Sequence, residues 1–214
     1  MNMHFNSRLF LLTISLAFLH LSCKQDNAVS EYKTYDDYRS IPAFTADSSV
    51  NMIVEIPTGS TAKFEVNKST YKLEMDSIRG IPRFIEYLGY PGNYGMIPNT
   101  LMDKAKGGDG DPLDILMLGP AVMRGSVAMV RPIGVLELMD NGEKDDKLIA
   151  IPIETHWSVV RDISQLDSLY PGSKEIIATF FKNYKGPNEM KLLRWSDSSR
   201  AMKLIKLSEV KSAN

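Results

Sequence analysis

Between residues 50 and 152 the chain reads as short apolar runs cut by turns, and beyond residue 172 as helix. "NMIVEIP" alternates and stops at Pro57, the pattern of a half-buried strand. In "AKFEVNKSTYKLEM" two alternating runs flank Asn67-Lys68-Ser69, a hairpin signal. "LDILML" predicts a short apolar strand. "SVAMVRPIGVLELMD" is a longer β-branched run ending in the turn "DNGEKDD", and "KLIAIPI" returns from it. Farther on, "SKEIIATFFKNYKG" puts Ile176, Ile177, Phe180, Phe181 and Tyr184 on one helical stripe, with Ser173 as N-cap and Gly186 past the end. "SSRAMKLIKLSEV" predicts a weaker last helix. Strands first and helices afterwards predict an α+β domain, with helices packed on a mostly antiparallel sheet or barrel.

The first 47 residues stand outside this pattern. Arg8 precedes an apolar run over residues 9–19, too short for a bilayer span, which needs about 20 residues. That is the anatomy of a secretory signal peptide. It ends at Ser22-Cys23, which resembles the lipobox of bacterial lipoproteins, although His20 stands where that pattern has an aliphatic residue. The expected division is a signal peptide over 1–22, cleaved before a lipid-bearing Cys23, a flexible polar tether over 23–47, and a globular domain over 48–214. The expected location is the cell envelope, on a periplasmic or surface face. The competing reading is a plain secreted protein with an unpaired thiol. Cys23 is the only cysteine, so no internal disulfide forms in either case.

At 214 residues, with 43% hydrophobic and 24% charged positions, the chain has the composition of a soluble globular protein with one core. A net charge of −1 points away from nucleic acid and from an anionic membrane surface, leaving membrane contact to the N-terminal lipid. Without the leader, His156 is the only histidine, which excludes a zinc site of histidine and thiolate. Beside Trp157, His156 reads as a structural or surface residue. There is no G-x-x-x-x-G-K-[ST] phosphate loop.

The unusual feature is "GGDGDPLDIL", which sets Asp109, Asp111 and Asp114 within six positions. At an effective dielectric near 20, two like charges about 4 Å apart cost about 4 kcal/mol, so positive charge is expected among them. Oxygen-only ligands suit hard cations such as Mg²⁺, Mn²⁺ or Ca²⁺. An EF-hand fails because Leu113 takes its fifth position. The D-x-D of sugar transferases and aspartyl-phosphate phosphatases follows an apolar strand, whereas here the strand comes after. A multi-metal hydrolytic centre and a solvated acidic turn remain. "MDNGEKDDKL" adds Asp140, Asp145, Asp146 and Lys147; "VEIPTGSTAKFEV" adds Glu55, Lys63 and Glu65; "FFKNYK" adds Tyr184 and Lys185. Acids that can hold cations thus recur with donors that can hold phosphate.

Taken together, these segments resemble the soluble inorganic pyrophosphatases of family I over roughly residues 50–185. The family signature D-[SGDN]-D-[PE]-[LIVMF]-D-[LIVMGAC] is met at every position by "DGDPLDI", and "VEIP", "KFE", "YPGNYGMIP", "DNGEKDDK" and "FFKNYK" occur in family order. The resemblance implies a small, twisted, five-stranded OB-like β-barrel with flanking helices. It implies Asp109, Asp114 and Asp145 as ligands of the tightest metal, with Asp114 bridging to a second. Asp140 and Asp145 match ligands of a metal that arrives with substrate, and Glu55 a ligand of a fourth. Asp111 matches the base that deprotonates the attacking water. Lys63, Tyr94, Lys147, Tyr184 and Lys185 match phosphate-binding or supporting positions, Glu65 a supporting carboxylate, and Tyr90 another site tyrosine. The family arginine falls at Pro82, so Arg83 is preferred to Arg79, with a one-residue loop deletion.

The resemblance implies Mg²⁺-dependent hydrolysis of pyrophosphate to two phosphates, with Mn²⁺ as a substitute ion and a symmetric homo-oligomer, a state that the tether can alter. Short polyphosphate, an organic diphosphate, or a non-enzymatic lipoprotein binding metal or phosphate are the competing accounts.

Overall fold

The computed structural model describes residues 32–153, 155–187 and 189–210. The strands are β1 (Lys33–Thr34), β2 (Val50–Ile56), β3 (Phe64–Val66), β4 (Leu73–Met75), β5 (Ser77–Ile78), β6 (Ile81–Pro82), β7 (Asn93–Met96), β8 (Asp114–Met117), β9 (Ser126–Asp140), β10 (Glu143–Lys144), β11 (Lys147–Pro152) and β12 (Met190–Asp197). The helices are α1 (Ile163–Leu169), α2 (Ser173–Asn183) and α3 (Ser198–Ser208).

Five strands close into a ring in the order β9-β11-β8-β7-β2, and β2 pairs again with β9. Closure depends on the length of β9: its first part runs against β2, Val50 opposite Val130, and its second against β11, Lys147 opposite Leu136. The β9–β11 register slips near Ala150, where β9 carries Pro132-Ile133-Gly134. A Cβ on Gly134 would lie 2.7 Å from the Ser196 carbonyl and 2.9 Å from Ile163 Cβ, so only glycine admits this crossing. Gly95 does the same for β7, where a Cβ would overlap the Ile53 carbonyl. The five-stranded OB-like barrel with flanking helices is the architecture found.

Several details differ from the sequence pattern. β2 is buried at every position rather than alternately: Val50, Met52 and Val54 pack with Ala201, Leu204 and Ile205 of α3, while Ile53 on the other face packs with Tyr38 and Ile41 of the N-terminal segment and Val66 of β3. Ile176 leaves its expected stripe and is 64% exposed, while Ile177, Phe180 and Phe181 face the core. The N-cap of α2 is Gly172, in the left-handed region at φ +85°, and Ser173 is the first helical residue. The second half is not all helix: β12 pairs with β9 from Met190 opposite Asp140 to Asp197 opposite Gly134. The short α1 also went unrecognised, its seven residues offering too few turns to show a period.

Residues 1–31, with the expected signal peptide and Cys23, lie outside the described residues. Of the expected tether, residues 32–47 lie on the barrel. β1 pairs with the start of β9, Tyr38 Oη donates to the Gly125 carbonyl at 2.7 Å, and Tyr38, Ile41 and Ala43 are buried. Three apolar side chains among polar neighbours suffice to dock this segment, and they lack the spacing of a regular element.

Candidate active site

The acid-rich loop before β8 is shaped by its backbone. Gly110 has φ +84° and reverses the chain between Asp109 and Asp111, a conformation that costs glycine little. The Asp111 amide donates to Asp109 Oδ1 at 2.8 Å, and the Met102 amide donates to the Asp111 carbonyl at 2.7 Å. Asp114 opens β8 and Lys147 opens β11, and the parallel register of these two strands sets them side by side. Asp140 closes β9, and the turn through β10 returns Asp145, whose amide donates to the Leu138 carbonyl at 3.1 Å. Glu55, on β2, accepts the Val66 amide at 2.7 Å, while Lys63 and Glu65 lie at the start of the β3–β4 hairpin. Tyr184 and Lys185 follow the last turn of α2.

These elements converge on one cavity of about 310 Å³. It is lined by Glu55, Lys63, Glu65, Arg83, Tyr90, Tyr94, Asp109, Asp111, Asp114, Asp140, Glu143, Asp145, Lys147, Tyr184 and Lys185. Every expected site residue except Cys23 is in that set, and Glu143 joins from the β10 turn. Arg83 lines the cavity, whereas Arg79 is exposed at the tip of the β5–β6 hairpin. Tyr90 and Tyr94 also belong to an aromatic stack: their ring centroids are 4.7 Å apart, and Tyr90 lies 4.9 Å from Phe180. Core packing and cavity lining are therefore the same function for these two rings. His156 is exposed beside Trp157, outside this lining.

Asp76 was missed by the sequence reading. Its carboxylate lies 3.0 Å from Arg83 Nη1 and 3.4 Å from Lys63 Nζ, tying two cavity cations together. Partial burial works against its charge, but Lys63 and Arg83 outweigh that and hold its carboxyl below the ordinary range. The hairpin carried the signal: pairing Phe64 with Met75 brings Asp76 back beside Lys63.

Eight carboxylates and four cations line the cavity. Lys147 is 1% exposed, and its ammonium bonds to Asp114, to Asp145 and, at 3.3 Å, to Tyr94 Oη. Burial alone would favour the neutral amine; Asp114 and Asp145 overcome it and hold the lysine charged. Burial also pushes against the charge of Asp145, yet Lys147 and Lys185 bring its carboxyl down to about 2. Glu55 lacks such compensation. Burial raises it to about 8, with the Val66 amide opposing only in part.

Among the described residues no three acids gather into a ready ligand cage, because lysine ammoniums lie between them. The donor chemistry nevertheless fits hard divalent cations: the acids are in surplus, their donors are oxygens, and burial pushes the Glu55 carboxyl well above the ordinary carboxylate range, a penalty that a bound cation would offset.

A pH dependence follows for the metal-free chain. With its pKa raised from 4.5 to about 8, Glu55 keeps a proton in the folded state that the unfolded chain gives up in that interval. Stability therefore falls as pH rises through this window. Asp145 acts in the opposite sense, its contribution being present above 3.8 and lost as pH falls towards 2. In excess chelator the melting temperature is expected to decline from the bottom of the Glu55 window to its top, and Glu55→Gln to remove most of that decline. A melting temperature flat across the window contradicts this assignment.

Comparison with known proteins bears on what this cavity serves. The family model for inorganic pyrophosphatase matches residues 52–212. The inorganic pyrophosphatase of Gluconobacter oxydans is 36% identical over 168 residues, covering 77% of this chain and 91% of the relative. That of Pseudomonas aeruginosa is 36% identical over 170 residues, with the same coverage of 77% and 91%. Among solved structures, the N-terminally truncated vacuolar soluble pyrophosphatase of Trypanosoma cruzi in complex with pyrophosphate superposes with a TM-score of 0.75 at 29% identity, over 79% of this chain and 75% of that one. The Helicobacter pylori inorganic pyrophosphatase gives 0.64 at 32% identity, over 83% and 96%. A match across three quarters of the chain, taking in the barrel and the whole cavity, means that the chain belongs to the inorganic pyrophosphatase family.

Proposed function

We propose that the protein hydrolyses inorganic pyrophosphate to two phosphates in this cavity, with Mg²⁺ held by Asp109, Asp114, Asp140, Asp145 and Glu55. The observation that carries this reading is the convergence of acids with Lys63, Arg83, Lys147 and Lys185 in one cavity of a chain with this family membership. Divalent cations bound there supply the positive charge that admits an anionic substrate and the Lewis acidity that makes water a better nucleophile. Mn²⁺ offers the same oxygen preference.

The chain's own residues divide the remaining work. Asp111 accepts the proton of the attacking water. Its carboxylate is half exposed and lines the cavity, within reach of solvent. Lys63, Arg83, Tyr94, Lys147, Tyr184 and Lys185 hold phosphate oxygens as charge shifts to the leaving group. Several of these donors pair with carboxylates: Lys147 with Asp114 and Asp145, Lys185 with Asp140 and Asp145. Divalent cations held by those acids would leave the ammoniums available to phosphate. Tyr90, packed against Tyr94, fixes the ring that faces Lys147, and Glu65 steadies Lys63.

Export and attachment through Cys23 rest on the leader sequence. Among the described residues no helix is long and apolar enough to cross a membrane. A second copy of the chain is the proposed protein partner, on the family resemblance alone.

Phosphate release measured with Mg²⁺ on pyrophosphate, tripolyphosphate and ATP tests the substrate. Turnover of pyrophosphate well above the other two is expected. Preference for tripolyphosphate or an organic diphosphate would keep the metal chemistry and replace the substrate.

A further inference from the structure

We propose that Lys68 is a positioning residue for Asp111, a role that rests on Asp111 being the base. Lys68 stands in the turn between β3 and β4, outside the lining of the catalytic cavity. It borders a neighbouring hollow of about 220 Å³ together with Gly110 and Pro112, the residues that flank Asp111. From there its ammonium pairs with Asp111 Oδ1. Among the described residues no other hydrogen bond or ion pair holds the Asp111 carboxylate. Oδ2 is left free for water.

The turn is built to carry this contact. Asn67 Oδ1 accepts the Ser69 and Thr70 amides at 2.8 and 3.0 Å, closing a tight loop around the lysine. Asn67 Nδ2 and Thr70 Oγ1 both donate to the Glu74 carboxylate at 2.9 Å, locking the loop to β4. The Tyr38 amide donates to the Tyr71 carbonyl at 3.0 Å, fastening the turn to the docked N-terminal segment. A braced turn thus presents Lys68 to a carboxylate that has no other support. Unlike Lys63, Lys147 and Lys185, this lysine stands outside the space where phosphate binds, so it acts through Asp111.

Both side chains are half exposed or more, so solvent screening limits the effect. Lys68→Gln is expected to lower kcat for pyrophosphate about three- to tenfold, with KM and melting temperature unchanged, and Lys68→Arg to restore most of the loss. In an Asp111→Asn background Lys68→Gln should have no further effect, because the group through which it acts is gone. Three results would overturn the proposal: a raised KM at constant kcat, an equal loss of kcat in both backgrounds, or no change at all. Active wild type with undiminished Asp111→Asn overturns the base assignment together with this proposal. Wild type without turnover overturns the functional reading as a whole.

Discussion

Asp111→Asn is expected to lower kcat for pyrophosphate by about 10²- to 10⁴-fold, the range for loss of a general base. The substitution keeps the size of the side chain and the backbone that shapes the loop, including the hydrogen bond that the residue-111 amide donates to Asp109 Oδ1. It removes a proton acceptor. Divalent binding should persist, because Asp109, Asp114, Asp140, Asp145 and Glu55 remain. A calorimetric titration with Mg²⁺ beside a turnover assay separates the two properties. Lost metal binding with intact turnover would move Asp111 from base to ligand and refute the assignment.

Lys147→Met should give the largest effect on stability. Lys147 is 1% exposed and touches Asp114, Asp145 and Tyr94. Removing one partner of a buried ion pair costs about 3–5 kcal/mol, because the other charge stays behind unpaired. Here two carboxylates are left facing each other. In chelator the melting temperature should drop by about 10 °C, at about 2–4 °C per kcal/mol for a chain of this size. Saturating Mg²⁺ should return much of that loss, since an ion among Asp114 and Asp145 restores the missing charge and binds only the folded state. The gain from Mg²⁺ is therefore expected to be larger in the variant than in wild type. An equal gain in both proteins would mean that the ions do not reach these two acids.

Much of the barrel could be read from the chain because its strands carry local signals. β9 spans the whole of "SVAMVRPIGVLELMD", and β11, from Lys147 to Pro152, takes up all but the last residue of "KLIAIPI". What local pattern could not give is burial on both faces. In β2 the polar positions Asn51 and Glu55 look outward by alternation, yet both are buried: Asn51 donates to the Pro42 carbonyl at 2.9 Å, and Glu55 accepts from Val66. β12 hid for the opposite reason. It is half exposed along the barrel wall, so its charged residues break any clean period.

The cavity was legible through motif, since Asp109, Asp111 and Asp114 fall within six positions around Gly110. Asp76 and Lys68 were not: Asp76 meets Lys63 only through the β3–β4 pairing and Arg83 through the β5–β6 pairing, and Lys68 reaches Asp111 from a different loop.

If the crowded acids seat divalent cations, the site cannot work without them. Phosphate release from pyrophosphate by metal-stripped protein, followed through the addition of Mg²⁺, tests it most directly. No release above background before the addition and rapid release afterwards is the predicted result. Full turnover in excess chelator, or a folded protein that binds Mg²⁺ and leaves pyrophosphate intact, would contradict it.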